Sequence, residues 1–151
     1  MRRLAALCLA ATALAAGCGG NGGDDYERQV REIGQQLQDS DVGAELQNVR
    51  SGAELAAALR KAAGLLDEAG DELDELEPPD DAAEAHRKVT EGARETANTF
   101  RDVAKQALSG NSQDMLASLA QLTGSGGAVK LEEGLKELER KGYDVQDEGG
   151  G

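Results

Sequence analysis

The sequence predicts an all-α protein: an elongated antiparallel helical bundle built on a long helical hairpin with a Pro-Pro turn. Three observations lead there. Leu55, Leu59, Ala62, Leu66, Ala69, Leu73 and Leu76 alternate steps of four and three without a miss. His86, Val89, Ala93, Thr96, Phe100, Val103 and Ala107 alternate three and four in the same way. Pro78-Pro79 separates the two series. Such spacing gathers side chains into one stripe per helix, the seam of an antiparallel pair. Neither proline can donate a backbone hydrogen bond, and Pro78 drives Glu77 out of helical geometry, so the first stripe must stop there. Each arm is about 25–30 residues, or about 40 Å at 1.5 Å per residue.

The first element is a leader. Met1-Arg2-Arg3 is a positive start, Leu4 to Ala15 an apolar run, and small residues follow. The run is shorter than the ~20 residues that span a bilayer. Leu14-Ala15-Ala16-Gly17-Cys18 reads as a lipobox, in which the chain is cut before a cysteine that then carries lipid of the palmitate type. Ala15 departs from the leucine usual at that place. The alternative is ordinary cleavage after Ala13-Leu14-Ala15, which frees a secreted protein. The expected organisation is a signal peptide over 1–17, lipidated Cys18 with a Gly-rich tether over 18–24, a helical domain over 25–145 and a disordered tail over 146–151. The expected location is the extracytoplasmic face of the cell membrane. Gly17-x-Gly19-x-x-Gly22 matches a dinucleotide fingerprint only formally, because no strand precedes it.

Charge narrows the partners. Losing Arg2 and Arg3 with the leader takes the net charge from −13 to −15. That surface repels a phosphate backbone, so nucleic acid is not an expected partner. The second cysteine, Cys8, lies in the leader, so no internal disulfide holds the mature domain.

The remaining elements follow in order. Asp24-Asp25 open a helix at its positive end, and Tyr26, Val30, Ile33 and Leu37 form its apolar face. The phase breaks at Asp39-Ser40-Asp41, and Val42, Leu46 and Val49 begin another turn or two. Ser51-Gly52-Ala53-Glu54 is a capping box for the first hairpin arm. Pro79, Asp80, Asp81 and Glu84 suit the first turn of the second arm. Ser109-Gly110-Asn111-Ser112 ends that arm, and Met115, Leu116, Leu119 and Leu122 give a short apolar face. Thr123-Gly124-Ser125-Gly126-Gly127 interrupts, and Ala128, Leu131, Leu135 and Leu138 resume. Lys141-Gly142 closes the last helix with a left-handed glycine, after which Tyr143 and Val145 fold back onto the bundle.

Taken together, the leader and lipobox, the Ala/Leu helix running into Leu76-Glu77-Pro78-Pro79, His86 and the closing Lys141-Gly142-Tyr143-Asp144-Val145 resemble a set of small helical lipoproteins of high-GC Gram-positive bacteria. The resemblance implies an envelope lipoprotein and carries no catalytic residue with it.

Little in the sequence speaks for catalysis. No serine sits in a G-x-S-x-G elbow, and no His or carboxylate stands three or four residues from His86 to share a metal. No enzyme, cofactor or metal is expected. His86, the only histidine, reads as a packed residue hydrogen-bonded to a neighbouring helix end. From Asp67 to Glu84 there are ten acids and no base. Asp67, Asp71, Asp74, Glu75, Asp80 and Asp81 are the candidate interaction surface, offered to a basic envelope protein. The hairpin tip carrying them is expected to point away from the membrane. The function expected is a lipid-anchored interaction or scaffold module. The alternative is a lipoprotein that holds an apolar ligand or lipid where Ala62, Ala69 and Ala93 oppose leucines. A pocket of about 300 Å³ or more would favour that alternative.

Overall fold

The computed structural model describes residues 21–109 and 124–145, and among these it is an all-helical bundle. The elements are α1 (Asn21–Gln38), α2 (Val42–Gln47), α3 (Gly52–Asp74), α4 (Ala83–Ala107) and α5 (Gly126–Arg140). The leader, Cys18, the apolar segment at 115–122 and the tail at 146–151 lie outside the described residues.

Helix α4 is the spine, with α3 and α5 both antiparallel to it. Along α3, Asp67 pairs with Arg101, Asp71 and Asp74 pair with Arg94, and Gly52 meets the Ala107 carbonyl. Along α5, Gly127 packs on Thr96, Leu131 on Gly92, and Gly134 on Val89 and Ala85. Two faces of α4 are therefore buried. The expected stripe faces one way, and Ala85, Thr90, Gly92, Ala97 and Ala104 add the rest.

The α4–α5 contact brings backbones together. A Cβ built on Gly92 would lie 2.4 Å from the Leu131 nitrogen, and one on Gly127 2.5 Å from the Thr96 nitrogen. One on Gly134 would lie 2.8 Å from the Val89 nitrogen. Only glycine permits this approach. The glycines around Gly126-Gly127, expected to interrupt, instead begin α5. Ser125 caps it, its hydroxyl accepting from the Ala128 N–H at 3.2 Å.

The other boundaries are set by local chemistry. Ser51 caps α3 by accepting from the Glu54 N–H at 3.2 Å, and the Glu54 carboxylate accepts from the Arg50 N–H at 2.7 Å. The box thus reaches one residue beyond the cap. Helix α3 ends at Asp74, earlier than its stripe, and Leu76 packs on the core from outside the helix. Pro78, Pro79, Asp80 and Asp81 lie in the connection 75–82, not in the first turn of α4. There the Ala82 N–H donates to the Pro79 carbonyl at 2.8 Å, and fully buried Ala82 anchors the start of α4. At the far end Gly142 adopts φ +95°; its N–H donates to Glu139 at 2.9 Å and the Tyr143 N–H to Leu138 at 3.1 Å. Those two bonds make the Schellman closure expected of Lys141-Gly142. Val145 is buried behind it.

The core has two centres. Leu55, Ala56, Leu59, Val103, Ala104 and Ala107 close the end where α3 starts and α4 finishes, with Leu46 and Val49 packed on them. At the other end Tyr26, Val30 and Ile33 of α1 join Leu73, Val89, Leu138 and Val145. Helix α1 begins at Asn21, inside the segment expected to be a tether. Its start lies beside the start of α4 and the end of α5, through contacts of Tyr26 with His86 and Tyr143. Tyr143 in turn donates to Asp81 at 2.8 Å. The proline-containing connection and the beginning of α1 therefore share one end of the bundle.

Candidate functional site

An apolar groove runs between α1 and the layer formed by α3, α4 and α5. Its volume is about 420 Å³. Helix α1 contributes Val30, Ile33, Gly34 and Leu37, and α3 contributes Leu66, Ala69 and Leu73. Val89 and Ala93 of α4 form the floor, while Ala128, Leu131 and Leu135 of α5 form the opposite wall. Gln38 and Glu132 are the polar lining residues, and both are exposed. The groove exists because small residues stand where the stripes meet. Ala69, Ala93 and Ala128 stop short of the space, and a Cβ built on Gly34 would meet nothing within 4 Å. Two of the three alanines singled out in the sequence, Ala69 and Ala93, line it; Ala62 does not.

A polar cluster pins the start of α1 and so fixes one end of the groove. The Tyr26 hydroxyl lies 3.0 Å from His86 Nδ1. With a neutral ring protonated on Nε2, Nδ1 accepts a hydrogen bond from the phenol O–H, and the Leu73 backbone takes a hydrogen bond from the ring. Burial pushes the His86 pKa below the ordinary histidine range, against the Asp74 charge and the Leu73 bond, which oppose it. Burial also raises the Tyr26 hydroxyl, with Tyr143 adding to it. Tyr143 meets Tyr26 edge-on, centroids 5.7 Å apart at 86°, and its own pKa is pushed up to about 12, by burial first and then Asp81. Arg31 ties the next turn of α1 to Asp144, donating to its carbonyl at 2.5 Å and standing 3.2 Å from its carboxylate.

The acidic candidates divide. Asp67 is paired with Arg101, while Arg94 lies 2.8 Å from Asp71 and 2.5 Å from Asp74. Asp81 accepts from Tyr143. The bases absent from the local sequence thus come from α4, one helix away. Glu75 and Asp80 are exposed and have no ionic partner among the described residues. Glu75 lies with Glu72, Glu77 and Glu32 around a second, polar depression of about 360 Å³ between α1 and the end of α3. Among the described residues no group of three or more His, Cys, Asp or Glu could hold a metal ion, and no helix is long and apolar enough to cross a membrane.

The sequence reading missed Gly34 and the α5 wall. The available signal was a glycine beside Ile33 on the apolar face of α1, where a stripe ordinarily carries bulk. No protein-family model matches the chain, and no curated protein or solved structure is significantly similar to it.

Proposed function

We propose that this protein is a non-catalytic, lipid-anchored helical protein of the cell envelope, and that it holds a small apolar ligand between α1 and the other helices. The observation that carries the binding reading is the groove of about 420 Å³, which exceeds the size at which such a site becomes useful. Its walls are aliphatic, and its two polar residues lie at the rim. Anchoring rests on Leu14-Ala15-Ala16-Gly17-Cys18 after a short apolar leader. The test is binding of the neutral fluorophore N-phenyl-1-naphthylamine to the full chain. Saturable fluorescence enhancement that is lost in Gly34→Leu supports the reading; no enhancement, or full enhancement in that variant, refutes it. The anchor is tested separately by intact mass after bacterial expression, with Cys18→Ser losing the lipid increment.

A second reading has an observation of its own. Glu72, Glu75 and Glu77 border one depression, and Asp80 lies exposed in the adjoining connection. A basic envelope protein could dock there. Site-specific crosslinking from Glu75 in cells, compared with a strain in which Glu72, Glu75, Glu77 and Asp80 are neutralised, tests it. A reproducible adduct lost on neutralisation is expected.

A further inference from the structure

The groove's rim specifies more than an apolar occupant. Glu132 is the ionisable side chain on the lining, and it stands in an ion pair with Lys136 one turn on. Lys136 holds the carboxylate below its ordinary pKa, so Glu132 is charged at neutral pH. Gln38, on the last residue of α1, offers an amide that both donates and accepts. No lysine or arginine is among the described lining residues. The nearby cations of α1 and α5 are each committed to acids, Lys136 to Glu132 itself. Arg31 is held by Glu27 and Asp144, and Lys130 by Glu91 and Glu95 on α4. The whole chain carries −13, which lowers the local concentration of anions.

Ordinarily an acyl carboxylate is held by a cation at the mouth of its site, because a charge moved toward an apolar wall loses hydration that only a partner restores. Here the lining offers no cation, only a carboxylate already paired with Lys136. An uncharged headgroup loses far less, and a hydroxyl could donate to the Glu132 carboxylate or to the Gln38 amide oxygen. The volume bears on chain length. At roughly 30 Å³ per small heavy-atom group, the scale of a liquid water molecule, the groove takes about 14 groups, one medium chain and its head.

We infer that the groove selects an uncharged single-chain amphiphile, with Glu132 and Gln38 at the rim excluding the corresponding carboxylate. This rests on the groove being a ligand site. The experiment is displacement of N-phenyl-1-naphthylamine from the full chain at neutral pH by dodecan-1-ol, methyl dodecanoate and dodecanoate, each below its aggregation limit. The alcohol and the ester are expected to displace at concentrations at least tenfold below those needed for the carboxylate. In Glu132→Lys the ratio of carboxylate to alcohol dissociation constants is expected to fall by about tenfold, since the lining then carries a cation and Lys136 loses its acid partner. A carboxylate that binds as tightly as the alcohol, or a ratio unchanged in Glu132→Lys, overturns the inference and leaves the groove standing. If the fluorophore itself does not bind, the groove reading fails first, and the inference falls with it.

Discussion

Replacing Gly34 by leucine separates the space in this bundle from its stability. Gly34 lies in the interior of α1, and a Cβ there meets nothing within 4 Å. Its φ is not in the left-handed region, since Gly142 is the positive-φ glycine of the described chain. Relieving an interior helical glycine is worth about 1 kcal/mol. Full burial of a leucine contributes about 1.5–3 kcal/mol, and a groove open on one side gives about half of that. The variant should gain about 2 kcal/mol, which raises Tm by about 8 °C for a domain of this size. Circular dichroism at 222 nm during heating, without ligand, reads that gain. The same side chain occupies the groove, so N-phenyl-1-naphthylamine binding should fall by tenfold or more. Gly64→Ala is the control. Gly64 is exposed on α3, has equally open space for a Cβ and does not line the groove, so it gains helix propensity and keeps binding. A lower Tm in Gly34→Leu, or fluorophore binding unchanged from the parent, would refute the reasoning.

Three other outcomes follow from the packing. Gly92→Ala puts a methyl 2.4 Å from the Leu131 backbone nitrogen, so α4 and α5 must separate; overpacking of this kind costs about 1–3 kcal/mol, read as a lower urea midpoint with an unchanged slope. Gly142→Ala forces a Cβ into a φ of +95° and should cost about 1–2 kcal/mol by the same measurement. His86 has a folded pKa below its unfolded value, so its contribution to stability is complete above the unfolded value near 6.5 and is lost as pH falls from there toward the folded value. The fall in Tm between pH 7.5 and 5.5 should therefore be larger in the parent than in His86→Gln, and equal falls would remove His86 from the account.

The apolar stripes of α3 and α4 were legible because each is written by one helix. Leu55 to Leu73 and Val89 to Ala107 need only the period of a helix to be seen, and so do the Ser51 cap and the Gly142 closure. What escaped the sequence is written by pairs of helices. Gly92 is unremarkable in α4 until Leu131 is laid across it, and Gly126-Gly127 reads as a break until Gly127 is seen pressed against Thr96. The acidic run reads as bare charge because Arg94 and Arg101 lie far along the chain, yet one helix away in space. The groove is the same kind of feature. It is a shortfall of volume shared by Gly34, Ala69, Ala93 and Ala128, and each of those residues alone is ordinary.

The position of α1 joins the two ends of the chain's logic. The helix is held by Tyr26 on His86 and by Arg31 on Asp144, while Ile33, Gly34 and Leu37 border the open groove. If Cys18 is lipidated, three positions before Asn21, the pinned end of α1 is the membrane end. The connection carrying Asp80 and Asp81 is then on that side as well. With a screening length of about 8 Å at physiological salt, those acids are repelled by anionic lipid only at short range. Gly19 and Gly20 are the residues between Cys18 and α1, so a lipid on Cys18 would keep those acids near that range. On that reading the acidic end would act as a spacer, and the groove, set back along α1 toward Gln38, would stay clear of the headgroups. A ligand would have to leave the bilayer to enter it, which is a further reason for a short chain with an uncharged head over a long-chain lipid.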